Sequence, residues 1–393
     1  MIKEIAYGIY SENEINFLVA DGKAFILKAK RPVLVGAGVS LLKVNTNIGV
    51  SDVNSYNDEI RKLKEICSLD YRPDTIMDHT IVPLEKPLWK TMVEEFDGAV
   101  GTLPHYLPYD EQSGISEDDF FDNLSDMANN GVSFVTLHPT ADFNLYRLAH
   151  EKKRLVPTTS RGGYVLLKDQ AINHRKENII AHNFIKIMEL LKAHGMAVSI
   201  GSVFRPATIH EALDEIHREE TVLQKKYIDI AKKMGVKVQM EGIGHISIDK
   251  MNEYANLIRG YGAPLMPLGP MVSDEIIGFD HITNAIGAIM MANTGVVGII
   301  NCVTREEHTG RVPSFDSIIE GLKTSRVVAH AYNVEMFPQY KEATEQIGLQ
   351  RSKLNSCVMS GGIFSYSPAE EEKRNCSRCR RECPLKPINM EEN

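Results

Sequence analysis

The sequence predicts an α/β fold: an eight-stranded TIM-like (β/α)8 barrel with a small N-terminal β element and a C-terminal arm. Three observations predict it. From about Leu41, apolar strand-like runs alternate with helical stretches, the pattern of parallel strands joined by helical crossovers. Polar and reactive side chains stand where those runs end, as they do on the C-terminal rim of a β/α barrel. The final stretch leaves the pattern, being strongly charged and carrying Cys376, Cys379 and Cys383 within eight residues. The expected divisions are residues 1–35 for the β element, 36–335 for the barrel and 336–393 for the cysteine-bearing segment.

Taken in order, Glu4–Tyr10, Ile15–Val19 and Ala24–Leu27 are short β-prone runs separated by polar turns at Asn13 and Gly22, and they predict a small antiparallel sheet. The barrel strands are expected at Leu41–Val50, Asp74–Asp78, Gly98–Leu103, Ser133–Leu137, Leu155–Thr159, Ala197–Val203, Lys237–Glu241, Leu265–Leu268 and Val296–Val303. That is nine where a barrel takes eight, so one is excess. Helices are clearest at Asn178–His194, His210–Lys233 and Ile248–Arg259, the last after an N-capping Ser247, with another from Ser314 to Tyr332. An open doubly wound sheet is the alternative, but no glycine-rich dinucleotide fingerprint follows the first strand.

Composition narrows the class. A hydrophobic content of 43% supplies one large core. A net charge of -8 argues against a nucleic-acid partner. The longest apolar run, Ala285–Cys302, is interrupted by Asn293, Thr294 and Gly295, and reads as a buried helix and strand rather than a membrane span. No signal-peptide pattern opens the chain and six cysteines spread unevenly do not form a secreted disulfide framework, so the expected setting is cytoplasmic.

The strand ends carry the chemistry. Asn45 and Asn47 end the first strand, and Met77, Asp78 and His79 the second. Tyr106, His138, Ser160 with Arg161, Arg205, Glu241 with His245, and His308 follow later ones. Ser160-Arg161-Gly162-Gly163 joins a hydroxyl, a cation and paired backbone amides, which suits a phosphate or carboxylate, and Arg205 is a second anion clamp. Glu241-Gly242-Ile243-Gly244-His245 sets a carboxylate and an imidazole around two glycines. His245 and His308 together are a candidate pair of ligands for a divalent metal.

The tail motif Cys-x2-Cys-x3-Cys-Pro matches the end of a bacterial ferredoxin motif. A four-iron cluster on three thiolates keeps one iron open for a substrate or cofactor. A zinc knuckle using Cys357 as fourth ligand and a redox-sensing disulfide are the other readings. Arg378, Arg380 and Arg381, interleaved with the cysteines, offset the negative charge of a cluster or form a solvated face.

In combination these pieces resemble the phosphomethylpyrimidine synthase family of radical S-adenosylmethionine enzymes. The resemblance rests on Val-Asn-Thr-Asn-Ile-Gly (44–49), Asp-Thr-Ile-Met-Asp (74–78), Gly-Thr-Leu-Pro-His-Tyr (101–106), Ser-Arg-Gly-Gly (160–163) and Phe-Arg-Pro (204–206). It continues through Glu-Gly-Ile-Gly-His (241–245), Leu-Gly-Pro (268–270), Phe-Asp-His-Ile-Thr-Asn-Ala-Ile-Gly (279–287), Val-Thr-Arg-Glu-Glu-His (303–308) and the cysteines. The resemblance implies a barrel that binds 5-aminoimidazole ribotide, a C-terminal 4Fe-4S cluster on Cys376, Cys379 and Cys383, and S-adenosyl-L-methionine at that cluster. It implies substrate contacts at Asn47, Met77, Tyr106, His138, Ser160, Arg161, Gly162, Arg205, Glu241 and Met266, with Glu241 also the proton-transfer group. His245 and His308 would hold a divalent metal, zinc or iron. An electron donor and a homodimer whose cluster arms reach toward the partner's barrel are implied too.

The chain departs from the family in four places. The second cysteine gap is one residue shorter, Ser202-Val203-Phe204-Arg205 stands for Asp-Gly-Leu-Arg, Met266 stands for a tyrosine, and Ile243 stands for a proline. Lost hydrogen-bonding groups alter substrate or product choice. The expected reaction is radical rearrangement of the ribotide to 4-amino-5-hydroxymethyl-2-methylpyrimidine phosphate in thiamine biosynthesis, a carbon–carbon lyase activity. A 5-hydroxybenzimidazole synthase on the same ribotide is the alternative. From other classes, a metal-dependent hydrolase with a zinc-bound tail and a non-catalytic, redox-sensing barrel compete with it.

Overall fold

The first described residues set the chain's direction through a cap. The Ser11 hydroxyl accepts from the Glu14 amide while the Glu14 carboxylate accepts from the Ser11 amide, and this capping box starts a helix over Glu12–Ala20. The β-prone run Ile15–Val19 is therefore helical, with Ile15 alone buried. The computed structural model describes residues 9–374, 376, 378, 379 and 382–386. Most of Glu4–Tyr10, with Arg380 and Arg381, lies outside the described residues.

Strands β1 (Phe25–Leu27) and β2 (Val33–Val35) pair antiparallel, so the N-terminal β element is present but reduced to one hairpin. Then come β3 (Lys43–Ile48), β4 (Thr75–Asp78) and β5 (Ala99–Thr102), a two-strand excursion of β6 (Tyr109–Asp110) and β7 (Gly114–Ile115), and β8 (Phe134–Leu137). The series ends with β9 (Ala197–Ile200), β10 (Lys237–Gly242), β11 (Leu265–Pro267) and β12 (Ile299–Asn301). Eight strands form one sheet in the order β11-β10-β9-β8-β5-β4-β3-β12, every pairing parallel. The two ends meet: the Leu265 amide donates to Val296 O at 2.9 Å and the Gly298 amide to Leu265 O at 3.0 Å, which closes the barrel. Most strand residues are buried, as expected of strands covered on both faces.

The excess strand is Leu155–Thr159. Leu155 is exposed and Pro157 breaks the ladder; the Val156 amide goes to the Glu211 carboxylate at 2.6 Å, and Thr159 alone of the run donates its amide to a backbone carbonyl, Val203 O at 3.0 Å. The run is a loop lying over the end of β9 rather than a strand beside it. After Ser314 the helix runs over Phe315–Met336, and a further helix, Pro338–Leu354, follows it. Pro338 at its first turn explains the restart.

The chain forms two compact units, residues 1–329 and 330–393. In the first, Phe25, Leu27, Val33 and Val35 pack against Ala99, Ala197 and Ile299 at the starts of barrel strands, so the hairpin plugs the N-terminal mouth. Asp74 ties that mouth together. It bonds the Val44 amide at 2.9 Å, Arg326 at 2.8 Å and lies 3.6 Å from Arg31. Burial alone would raise the Asp74 pKa, but Arg326, Lys43 and Arg31 outweigh it and hold it down to about 2. The second unit holds the helices Pro338–Leu354 and Glu370–Arg374, a turn bridged between Gly361 and Tyr366, and the three tail cysteines.

Replacing Asp74 with Asn leaves buried cations uncompensated, and we predict a loss of about 3–5 kcal/mol in urea unfolding at pH 7. Because the folded pKa is depressed, that stabilisation is complete above pH 3.8 and is lost as pH falls through about 2. The wild-type and D74N unfolding midpoints should therefore converge in acid.

Candidate active site

Each barrel strand delivers its last side chains to one rim, and two chambers open there. The first, of about 310 Å3, is lined among others by Met77, Tyr106, His138, Ser160, Arg161 and Glu241. The second, of about 230 Å3, is lined among others by Asn47, His245, Asn301 and His308. Arg205, Thr159 and Leu268 border both. Two of the sequence-predicted contacts lie behind these walls. Met266 is fully buried in the core with Met77 and Tyr106, and Gly162 packs against His138.

Ser160 is the N-cap of the helix Arg161–Ile172, its hydroxyl accepting from the Gly163 amide at 3.1 Å. The Arg161 guanidinium lies 5.2 Å from the Tyr106 ring centre and donates to His79 O at 3.3 Å. The cation and the helix N-terminus thus coincide, as an anion site requires. Arg205 is oriented by its own bond to Ser202 O at 2.8 Å. That loop hangs on a residue the sequence reading passed over: Glu220, fully buried, accepts from Ser202 Oγ at 2.6 Å, the Phe204 amide at 2.8 Å, Thr140 Oγ1 at 2.8 Å and the Val203 amide.

Glu241 is the one carboxylate lining the first chamber among the described residues. Thr136 Oγ1 donates to its Oε1 at 2.6 Å and Ser199 Oγ to the same oxygen at 3.4 Å. Among the described residues nothing bonds Oε2. Burial raises its pKa against the pull of Thr136, Arg205 and Ser199, which suits a group that exchanges a proton. Two imidazoles, His79 and His138, line the wall and His105 lies buried behind it: burial, with Arg161 and Arg205, lowers His79 to about 3, burial lowers His105 to about 3, and His138 is lowered well below its usual value.

The second chamber contains a pair built for a cation. His245 Nδ1 is 2.7 Å from Asp274 Oδ1 and His308 Nδ1 is 2.7 Å from Asp280 Oδ1. A carboxylate only accepts, so each Nδ1 donates and a neutral ring presents its Nε2 lone pair; the two Nε2 atoms face each other at 3.2 Å. Two lone pairs at that distance repel. Two nitrogens about 2.05 Å from one tetrahedral metal stand roughly 3.3 Å apart, so the donor set fits a metal. Among the described residues no group of three or more His, Cys, Asp or Glu is placed to hold a metal, so other positions fall to water or a ligand. The turn carrying His245 is tight: a Cβ on Gly244 would lie 2.1 Å from Pro206 O, and Ile243, a β-branched residue, takes φ 48.

Beside this, Asn45 Nδ2 donates to Asn47 Oδ1 at 2.8 Å and to Asn301 Oδ1 at 2.6 Å, an amide network joining β3 to β12. In the second unit, Cys376, Cys379 and Cys383 are half-buried and free of disulfides. Cys67 and Cys302, by contrast, are pushed up to about 11 and about 12 by burial, unsuited to ligation as thiolates. Three thiols within eight residues of sequence are the donor type that an iron–sulfur cluster with one iron left open takes, though among the described residues they are not gathered into a metal site.

A closed parallel barrel with a polar C-terminal rim, an anion-binding helix start, a histidine pair and a three-thiol tail defines a barrel enzyme equipped for cluster-dependent chemistry. Residues 2–390 match the Radical SAM ThiC family, and the chain belongs to it. The phosphomethylpyrimidine synthase of Pyrococcus abyssi is 30% identical over 400 residues, covering 96% of this chain and 92% of that protein. That of Ignicoccus hospitalis is 33% identical over 319 residues, covering 78% and 71%. The 5-hydroxybenzimidazole synthase BzaA of Eubacterium limosum is 31% identical over 330 residues, covering 80% and 76%. The chain is therefore an enzyme of radical rearrangement, and its family works with an iron–sulfur cluster and S-adenosylmethionine.

Both His79 and His105 should stay neutral in the folded protein across pH 5–8, with side-chain 15N shifts of the neutral ring throughout. Because their folded pKa values are depressed, unfolding takes up protons below pH 6.5, so stability is complete above that pH and falls as it drops toward about 3.

Proposed function

We propose that this enzyme rearranges 5-aminoimidazole ribotide to 4-amino-5-hydroxymethyl-2-methylpyrimidine phosphate, as a carbon–carbon lyase of thiamine biosynthesis. The observation that carries the reading is the first chamber, where a helix-start anion site, Glu241 and His138 meet on one rim in a chain of this family. The similarity to the Pyrococcus abyssi synthase along nearly the whole chain supports it.

In this reading Arg161 and the amides opening the helix Arg161–Ile172 take the phosphate, with Arg205 as the second clamp. Tyr106, Met77 and His138 flank the sugar and base, Ser160 fixes His138 by the 2.9 Å contact with Nε2, and Gly162 leaves room for that ring. Asn47 faces the ligand from the second chamber, and Met266 supports the wall from behind. Glu241 holds or accepts a proton at Oε2. His245 and His308 would hold a divalent metal, zinc or iron, through Nε2, adding Lewis acidity beside the ribotide. Cys376, Cys379 and Cys383 would hold a 4Fe-4S cluster, which with S-adenosyl-L-methionine supplies a 5′-deoxyadenosyl radical for hydrogen abstraction.

The reading carries with it an electron donor for the cluster, a homodimer and a cytoplasmic setting. No helix of the described residues is long and apolar enough to cross a membrane. A second reading, 5-hydroxybenzimidazole synthesis from the same ribotide, is supported by the 31% identity to BzaA.

Anaerobic enzyme supplied with the ribotide, S-adenosylmethionine and dithionite should yield 5′-deoxyadenosine and the pyrimidine phosphate by mass spectrometry. Serine at any of Cys376, Cys379 or Cys383 should abolish both. A benzimidazole product would select the second reading, and turnover by the serine variants would reject both. For the metal, Asp274→Asn or Asp280→Asn should weaken affinity about 10–100-fold, read by metal analysis after dialysis; unchanged loading would show the pair is not the site.

A further inference from the structure

At the first chamber, His79 after β4 and His138 after β8 line the wall and are joined in series through Tyr106 and the buried His105, both after β5. His79 and Tyr106 rings meet edge-on at 6.4 Å, Tyr106 and His105 at 5.1 Å, and His105 and His138 at 5.6 Å. Their polar atoms are undersatisfied: among the described residues, His79 Nε2 and His138 Nδ1 are enclosed with no hydrogen-bond partner, and His105 has only the Gly162 backbone beside its ring nitrogens. Enclosed nitrogens of this kind cost free energy that leucine or phenylalanine in the same space would not. The backbone is shaped to keep the rings there. A Cβ on Gly162 would stand 2.7 Å from His138 Cε1 and 3.0 Å from His105 Nε2. At the other end, the His79 amide donates to Ile48 O at 2.9 Å, and a Cβ on Gly49 would sit 2.5 Å from His79 C.

We propose that His79 and His105 set substrate specificity: His79 contacts the heterocycle of the bound ribotide, and His105 is a positioning residue that holds His138 and Tyr106 against it. The proposal rests on the ribotide reading above and goes beyond the residues that the family resemblance names. The division of labour follows from charge. Arg161 and Arg205 carry the positive charge that a phosphate needs, whereas each uncharged imidazole offers one donor and one acceptor. Such groups match an amino-substituted nitrogen heterocycle rather than an anion. A ligand with that edge would satisfy nitrogens that the protein leaves bare.

Two probes separate the parts of the ligand. Equilibrium dialysis of the cluster-reconstituted enzyme would measure 5-aminoimidazole ribotide and ribose 5-phosphate, which lacks the heterocycle. His79→Leu should weaken ribotide binding by about tenfold or more, and His105→Phe should weaken it in the same direction, while ribose 5-phosphate binding holds. His79→Asn and His105→Gln, which restore a polar edge, should recover part of the loss and serve if the apolar variants do not fold. Equal loss of both probes, or no loss of either, overturns the proposal. Wild-type enzyme that binds ribose 5-phosphate but not the ribotide overturns it as well. Wild-type enzyme that binds neither overturns the ribotide reading itself, which is a distinguishable result.

Discussion

Eight parallel strands can close only if all run the same way around the axis, and that constraint places every strand end on one rim. The closure is made by few bonds, between Leu265 and the Val296–Gly298 segment. Everything reactive in the first unit depends on it: Glu241 on β10 reaches Thr136 on β8 and Ser199 on β9 because neighbouring strands hold those residues in parallel register. The carboxylate's position is thus a property of the sheet and not of its own loop.

The two mouths of the barrel are treated oppositely. At the N-terminal mouth charge is neutralised and apolar surface is plugged, with Asp74 facing Arg326 and Arg31 beneath the β1–β2 hairpin. At the C-terminal rim, ring nitrogens stay bare, paired lone pairs face each other and Ile243 holds a left-handed backbone. Stabilising contacts concentrate where no ligand goes, and unfavourable ones collect where a ligand or metal can relieve them.

The strand ends were legible because strand polarity and the barrel rule need only local pattern. His245 and His308 could be paired from their positions after two strands, and Ser160–Gly163 from its composition. Asp274, Asp280 and Glu220 were not legible as partners. Each acts across tens of residues, such as the 29 separating His245 from Asp274, and an acidic residue in a loop or helix looks like solvated surface until the chain folds. The false strand Leu155–Thr159 has the right residue types but lacks a neighbour for its ladder, and Pro157 forbids one. At Ile15–Val19 a capping box outweighed β propensity.

Ser202 shows how such a distant partner changes the meaning of a local departure. Read along the sequence, serine in place of the family's aspartate subtracts a carboxylate from the pocket. In the fold, Ser202 does not line the first chamber; its hydroxyl donates to Glu220 at 2.6 Å, away from that cavity. An aspartate here would bring a second carboxyl against a buried one, and the two could not both be ionised. Glu220 holds the Ser202 hydroxyl, and through the Val203 and Phe204 amides it fixes where Arg205 stands. Ile243 follows the same logic, since a proline confined to φ near −65° could not adopt its φ of 48. The turn between Glu241 and His245 consequently follows a path that the family's proline would not allow. These substitutions belong to a rim rebuilt from behind, with Glu241 left as the acid facing the first chamber among the described residues.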